Sequence, residues 1–157
     1  MPSLVLVTSI AAPPEACFAL SLSVDAHSAS MAGTDERAVA GVTAGEMALG
    51  ETVTWSARHF GVRFRMTSRI TACEPPLRFV DEQIAGPFGR WWHEHLFQAT
   101  ADGTRMIDHI EYASPFGPLG RLVDRVVLAR YMNGLIARRN RWLAEALAGA
   151  APRERAV

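Results

Sequence analysis

The residues best suited to chemistry are histidines and carboxylates that fall on predicted strands in the second half of the chain. His93 and His95 stand two residues apart, so in a strand both imidazoles point to the same face. Asp81 lies in the strand before them and Asp108 in the strand after them. When a histidine and an aspartate pair in a cavity, the pKa values of both side chains depend strongly on their surroundings. If one face of every strand turns inward, a cavity there holds seven polar side chains: His59, Asp81, Gln83, His93, His95, Asp108 and Tyr112.

Three interpretations of these polar side chains stay open. In the first, a mostly apolar pocket uses them to orient an oxygen atom of a ligand. In the second, they catalyse proton transfer beside a carbonyl and stabilise the resulting oxyanion. The candidate base and orienting groups are then His93, His95 and Asp81, and the candidate donors are Tyr112 and Arg90. In the third, they form a satisfied structural network, or the strand phase is inverted and they face water.

The His93-x-His95 spacing also suits a metal site, because both imidazoles would approach one ion from the same side. A third ligand would come from His59, Asp81 or Asp108. No second closely spaced pair of ligands occurs, and position 97 is Phe, so the zinc-protease pattern H-E-x-x-H is absent. We therefore predict no metal and no cofactor.

The absence of lysine excludes several functions. The chain has 16 basic residues, all arginine, and 16 acidic ones, giving a formal net charge of zero. Schiff-base chemistry needs a lysine, and so does the phosphate-binding loop G-x-x-x-x-G-K-[ST]. A neutral chain also lacks the overall basic character typical of nucleic-acid-binding proteins. No G-x-S-x-G motif is present to indicate a serine nucleophile.

Two features predict a cytoplasmic protein without integral membrane association. Cys17 and Cys73 are far apart in sequence and are expected to be small hydrophobic residues in a reducing compartment. The apolar run at residues 4–7 is too short for a signal peptide, and no run approaches the roughly 20 apolar residues of a membrane span.

The length of 157 residues and the 49% hydrophobic content predict one globular domain over residues 1–150, with a disordered tail at 151–157. Leu4–Ile10 alternates as a strand, and Pro13 and Ser23 begin two short helices. Further strands are predicted at 37–43, 52–59, 62–72, 77–84, 90–100 and 104–112.

A long C-terminal helix is predicted over residues 119–148. Its apolar residues recur at steps of three and four: Leu119, Leu122, Val123, Val126, Val127, Tyr131 and Leu135. We expect this stripe to pack on the sheet and the helix arginines to face solvent. A contact between the arginines and acidic membranes or partners is the alternative.

These elements predict an α+β fold in which a curved antiparallel sheet of about seven strands wraps around the long helix. A sheet with one apolar face needs such a cover, and curvature leaves a cavity between the layers. The residues expected to contact a ligand there are Trp55, His59, Phe64, Met66, Phe79, Gln83, Trp91, Phe97, Ile110 and Tyr131.

Several strings, within residues 3–148, resemble one known superfamily. They include Arg58–Gly61, Glu74–Asp81, Trp92–Phe97 and Pro115–Gly120. Together with the element order they resemble SRPBCC proteins, the helix-grip superfamily of START lipid-transfer domains, birch-pollen-type allergens and polyketide cyclase/dehydratase-like proteins. The nearest resemblance is to bacterial cyclase/dehydratase and carbon-monoxide-dehydrogenase-accessory branches. The resemblance implies the helix-grip fold, on which carriers, cyclases and regulators all occur.

The leading functional prediction is binding of a small hydrophobic molecule such as a lipid, polyketide or aromatic metabolite. The alternative is a cofactor-independent cyclase or dehydratase that uses acid–base catalysis. The third is an accessory domain that binds another protein, which predicts a filled cavity and an exposed apolar patch. Trp91 and Trp92 put one indole on each sheet face, and the outward indole is a candidate contact for a partner or for a homodimer.

Overall fold

The computed structural model describes residues 2–115 and 117–150, without the side chain of Asp124; the predicted tail lies outside them. Strand β1 (Ser3–Ile10) is followed by helices α1 (Pro14–Leu22) and α2 (Val24–Ser30) and a 3-10 turn (Ala32–Thr34). The remaining strands are β2 (Arg37–Gly41), β3 (Thr52–His59), β4 (Val62–Glu74), β5 (Arg78–Ala85), β6 (Arg90–Thr100) and β7 (Gly103–Ala113). The chain then continues as α3 (Gly117–Val123), a π-helical segment (Asp124–Leu128) and α4 (Ala129–Ala150).

The seven strands form one antiparallel sheet in the order β1-β7-β6-β5-β4-β3-β2. The predicted helix-grip architecture is confirmed, with two short helices after the first strand and a helical C-terminal region. Two strand ends differ from the prediction by two residues. β4 runs to Glu74, directly before the two prolines that cannot join a ladder, and β2 already ends at Gly41, whose φ of +71° turns the chain away.

The predicted strand phase is confirmed by burial. On β6, Trp91, His93, His95 and Phe97 are all buried on the inner face, at no more than 6% exposure. Trp92 lies on the outer face against His109, with ring centroids 5.4 Å apart. Because the side chains of a strand alternate, one correct position fixes the whole face.

The C-terminal region departs from the single predicted helix. The π-helical segment interrupts it, and the apolar residues before and within that segment are exposed: Leu119, Leu122, Val123, Val126 and Val127. The inner face of α4 is instead formed by Met132, Leu135 and Ile136, with Leu143 further along the helix. A π turn adds a residue and rotates the following helix, so one stripe cannot stay aligned across it. The expectation that the whole stripe packs on the sheet is therefore wrong for residues 119–127.

No described helix combines the length and the apolar character that crossing a membrane requires.

Candidate functional site

A cavity of about 340 Å³ lies between the inner face of the sheet, the helices α1 and α2, and the C-terminal helical region. Most of its wall is apolar and includes Trp55, Met66, Ile70, Phe79, Met132 and Leu135. Val123 and Leu128 also line it, so the region around the π-helical segment forms part of its boundary. The architecture therefore leaves room for a small molecule beside α4.

One wall of this cavity carries a buried set of four groups, Asp81, His93, His95 and Asp108, which we call the acid–histidine cluster. Asp108 has no exposed surface and lies behind both histidines. Its Oδ1 accepts a hydrogen bond from His93 Nε2 at 2.9 Å. His95 Nδ1 lies 3.0 Å from the same oxygen without the alignment of a hydrogen bond.

Asp81 is the member of the cluster with the most exposure, since one fifth of its side chain is accessible and it lines the cavity. Its Oδ2 accepts from His95 Nε2 at 3.1 Å, and its Oδ1 accepts from Trp91 Nε1 at 3.3 Å. His93 Nδ1 is 3.7 Å from Oδ2, beyond hydrogen-bond distance. The cluster thus presents one carboxylate and one imidazole nitrogen toward the cavity.

The strand register explains why these four groups meet. Asp81 on β5 stands opposite His93 on β6, and His95 on β6 stands opposite Asp108 on β7. Cross-strand neighbours on one face have Cβ atoms about 5 Å apart, which is within reach of His and Asp side chains. Three adjacent strands therefore build the cluster from residues that are as many as 27 positions apart in sequence.

Burial and pairing act in opposite directions on the carboxylates. Burial by itself raises the pKa of Asp81, but the hydrogen bond from His95 and the charges of His93 and His95 bring it to about 2. Burial also raises the pKa of Asp108, while its contacts with His93 and His95 together hold it well below its usual range. Burial lowers the pKa of His93 to about 4, aided by the charge of His95 and opposed by the hydrogen bond to Asp108. At neutral pH both carboxylates are ionised and His93 is uncharged.

Helix α4 supplies two further groups that the sequence analysis missed. Asn140 Nδ2 donates to Asp108 Oδ2 at 2.6 Å, and Arg139 Nη1 lies 3.6 Å from Asp108 Oδ1. Both residues are at most 3% exposed, and Arg139 lines the cavity. Met132 and Ile136 lie on one face of the helix, and steps of three and four residues from Ile136 reach Arg139 and Asn140. This periodicity is the sequence signal that could have identified both residues.

Ser68 on β4 is another polar residue of the inner face for which the sequence analysis predicted no function. It is 4% exposed and lines the cavity. Its Oγ has no hydrogen-bond partner among the residues that the structure describes. Burying a hydroxyl group without a hydrogen bond costs free energy. A ligand that forms a hydrogen bond with Ser68 Oγ would remove that cost.

A half-buried pair lies elsewhere in the cavity lining. His59 Nδ1 and Tyr131 Oη are 2.6 Å apart, and the exposed ring of Phe60 packs at a tilt against Tyr131 with centroids 4.5 Å apart. His27 lies on Trp55 with ring centroids 4.2 Å apart and contacts Glu36 Oε1 at 3.0 Å. Burial lowers the pKa of His59 and raises that of Tyr131.

Ten of the residues predicted from the sequence line the cavity: Trp55, His59, Phe64, Met66, Phe79, Asp81, Trp91, His93, His95 and Tyr131.

The other predicted site residues lie outside the cavity wall. Gln83 donates to and accepts from the backbone of Phe88, and Phe97 packs edge-on against Phe18. Ile110 and Tyr112 are buried in the core beside α4.

Arg90, proposed as a donor, instead pairs with Glu111 at 3.3 Å on the surface. Strand alternation places it on the outer face of β6, opposite to buried Trp91, so the assignment of Arg90 as a donor in the cavity is wrong.

Comparison with solved structures shows which proteins share this fold. TTHA0849 from Thermus thermophilus matches with a TM-score of 0.78 at 20% identity, over 96% of this chain and 99% of that one. A START superfamily protein from Mycobacterium smegmatis matches with 0.71 at 12% identity, over 92% and 98%. The Zhui aromatase/cyclase from Streptomyces sp. R1128 matches with 0.66 at 15% identity, over 97% and 94%. These matches show that the chain has the helix-grip fold.

A family model described as polyketide cyclase / dehydrase and lipid transport matches residues 1–148, and the chain belongs to this family. A search of curated proteins finds no match.

Proposed function

We propose that this protein binds a small, mostly apolar molecule in the cavity. The polar residues of the cavity wall orient that molecule through one polar group of its own. The observation that carries the proposal is an apolar cavity whose wall contains a buried acid–histidine cluster and an unpartnered hydroxyl at Ser68. Membership of a family that includes lipid transport and polyketide cyclases supports a hydrophobic ligand or a cyclase-type substrate. The volume of about 340 Å³ lies within the roughly 300–1,000 Å³ common for ligand pockets.

The cluster favours a ligand that donates a hydrogen bond. The proton of His93 is on Nε2, where it donates to the ionised Asp108, so Nδ1 is an acceptor. The ionised Asp81 also accepts only. Ser68 Oγ can donate or accept. An aromatic or aliphatic molecule with a hydroxyl group therefore fits this wall better than the same molecule without one.

Calorimetric titration with 2-naphthol and with naphthalene tests this proposal. We expect 2-naphthol to bind once per chain and more tightly than naphthalene, because an unpaired buried acceptor costs roughly 1–3 kcal/mol. Ala57 is a buried residue of the cavity wall and Arg58 is its exposed neighbour on the other sheet face. Ala57→Phe should abolish binding by filling the cavity, while the matched control Arg58→Phe should retain it. Equal binding by both variants would place the ligand elsewhere.

A second candidate function is acid–base catalysis of the cyclase or dehydratase type. Its specific support is that His93 lines the cavity while its Nε2 donates to Asp108, as a base and its orienting carboxylate require. Molecules extracted from the purified protein should be returned to stripped protein and followed by chromatography with mass detection, because cyclisation alone leaves the mass unchanged. An unchanged retention time and mass support binding alone. Conversion that His93→Gln abolishes and His109→Gln retains supports catalysis.

The third prediction, an accessory domain that binds another protein, expected a filled or collapsed cavity and an exposed apolar patch. Exposed apolar residues occur at Leu119, Leu122 and Val126, but the cavity is open, and for that reason a ligand-based function is preferred.

A further inference from the structure

We infer that Asp81, His93 and His95 together form a binding site for a divalent transition-metal ion such as Zn²⁺, open to the cavity. This inference goes beyond the proposed function and does not depend on it. The sequence analysis predicted no metal, because it contained one pair of histidines and three equivalent choices for a third ligand. The structure selects Asp81 from the three, since Asp81 lines the cavity beside both histidines, whereas Asp108 is fully buried behind them and accepts from Asn140.

The spacing of the ligand atoms suits one ion. One ligand atom from each of Asp81, His93 and His95 can be chosen so that all lie within 4.8 Å of one another. Asp81 Oδ2 is 3.1 Å from His95 Nε2 and 3.7 Å from His93 Nδ1. Ligands about 2.0–2.1 Å from a tetrahedral ion are about 3.4 Å apart, and both distances lie close to that value. Small side-chain rotations would therefore complete the site.

The other nitrogen of each histidine lies beside a carboxylate oxygen, although only that of His93 is aligned for a hydrogen bond. His93 Nε2 donates to Asp108 Oδ1 at 2.9 Å, which leaves Nδ1 for an ion. His95 Nδ1 lies 3.0 Å from the same oxygen, which leaves Nε2. Metal-bound histidines almost always direct their second nitrogen to a carboxylate or carbonyl, because that contact fixes the ring and raises its basicity. One carboxylate, Asp108, serves both rings here, and Asn140 fixes that carboxylate in turn.

The third ligand is held in the same manner. Trp91 Nε1 donates to Asp81 Oδ1, so Oδ2 is the oxygen directed at the two histidines. In the metal-free cluster the proton on His95 Nε2 occupies the position between that ring and Asp81. An ion would contact the same two atoms, and the ring proton would then lie on His95 Nδ1, which is 3.0 Å from Asp108 Oδ1.

The ligand set indicates the class of ion. Two imidazoles and one carboxylate are the protein ligands of several catalytic Zn²⁺ sites and of non-haem Fe²⁺ sites, both of which keep a position open. Ca²⁺ and Mg²⁺ prefer oxygen ligands and are disfavoured by two nitrogens. Asp81 and His93 both line the cavity, so the open position would face a bound molecule. A hydroxyl group of that molecule, or water, would be the fourth ligand.

Equilibrium dialysis of tag-free protein, stripped with a chelator, tests the site with Zn²⁺ and with Co²⁺ alone. We expect one ion per chain and visible d–d absorption from bound Co²⁺ that Zn²⁺ displaces. Asp81→Asn and His95→Ala should each lose this binding. His109→Ala is the matched control, because His109 lies on the outer face of β7 against Trp92, and it should bind as the wild type does.

A supporting variant separates a ligand role from a general loss of structure. Asp108→Asn keeps the shape of the side chain that orients both histidines, and the expected loss is about 10- to 100-fold in Zn²⁺ affinity. Zn²⁺ should also raise the thermal unfolding midpoint of the wild type and leave that of Asp81→Asn unchanged, because only a folded-state site stabilises. Asp81 is partly exposed, so this variant is expected to fold even if His95→Ala does not.

Two results would overturn the inference: no stoichiometric ion in the wild type, or equal affinity in Asp81→Asn and the wild type, which would make the ion adventitious. Binding of 2-naphthol to the chelator-treated protein is measured in parallel. If the wild type binds no stoichiometric ion but still binds 2-naphthol, the metal site is refuted and the proposed function is not.

Discussion

Two histidine-containing regions line the same cavity, and they differ in what surrounds them. In the acid–histidine cluster, the two histidines contact two ionised carboxylates, and Arg139 and Asn140 enclose the set from α4. The His59–Tyr131 pair is a single contact between half-buried neutral groups beside the exposed Phe60.

The comparison shows that the contribution of each region to stability depends on whether its groups are buried and charged. The presence of a histidine does not decide it. Removing one partner from the cluster leaves another charge buried and unpaired, which is costly. Removing one partner from the half-buried pair leaves a neutral group that can reach water. The four variants below are ordered by the size of the effect that this difference predicts.

The largest effect is expected from Asp108→Ala. It leaves His93 and Asn140 without their shared acceptor and buried Arg139 without the carboxylate 3.6 Å away, and breaking a buried charged pair costs about 3–5 kcal/mol of unfolding free energy. Urea denaturation of chelator-treated protein measures the loss. Asp102→Ala is the control, because it removes an exposed carboxylate in the turn between β6 and β7 and should change stability by about 0.5 kcal/mol or less. Similar losses in the two variants would contradict the central place of Asp108.

Asn140→Ala should have the next largest effect. Asn140 Nδ2 donates to the ionised Asp108 at 2.6 Å, and a hydrogen bond to a charged group contributes about 1.5–3 kcal/mol. The same denaturation experiment measures it, with exposed Arg141→Ala as the neighbouring control. A double variant with Asp108→Ala should lose less than the sum of the single losses, since both remove one interaction. Strict additivity would show that the two residues act independently.

Tyr131→Phe is expected to cost less, about 0.5–1.5 kcal/mol. It removes only the hydroxyl that lies 2.6 Å from His59 Nδ1, and it keeps the ring that packs on Phe60. Thermal unfolding of the variant against the wild type is the measurement. A loss as large as that of Asp108→Ala would remove the distinction between the two regions.

The smallest effect concerns the titration of His59 followed by NMR. Burial lowers the pKa of this imidazole below 6.5, and the charge of Glu36 opposes that shift. A group with a depressed basic pKa is neutral in the folded chain while its unfolded counterpart takes up a proton. Its contribution to stability is therefore lost as the pH falls below about 6.5.

Glu36→Gln should lower the pKa of His59 further, because the charge that favours the imidazolium is gone. An increase would show that Glu36 acts on His59 in another way.

The fold and most of the cavity wall could be predicted from the sequence because they follow from local alternation. On β6, the period of two places Trp91, His93 and His95 on one face, and the structure has them there. The side chains of Gln83, Phe97 and Ile110 also lie on the inner face of the sheet, as predicted. The cavity, however, covers only part of that face. Phe97, for example, is covered by Phe18 of α1, and no periodicity states which part of a face another helix covers.

The helix contribution was harder to predict. The apolar stripe at residues 119–135 set one helical phase, and the π-helical segment changes it before α4 reaches the sheet. Arg139 and Asn140 were therefore expected among solvent-facing or unassigned positions, although they are buried against Asp108. A π turn depends on packing and has no simple sequence signature.

The most direct test of the account uses the four tryptophans as reporters. Trp55 and Trp91 line the cavity, whereas Trp92 lies on the outer sheet face and Trp142 lies outside the cavity wall. The indole N–H signals of ¹⁵N-labelled protein should be followed during titration with 2-naphthol. The account predicts that the signals of Trp55 and Trp91 shift together to saturation while those of Trp92 and Trp142 stay in place. A shift confined to Trp92, or no shift of Trp55 and Trp91 when 2-naphthol is bound, would contradict it.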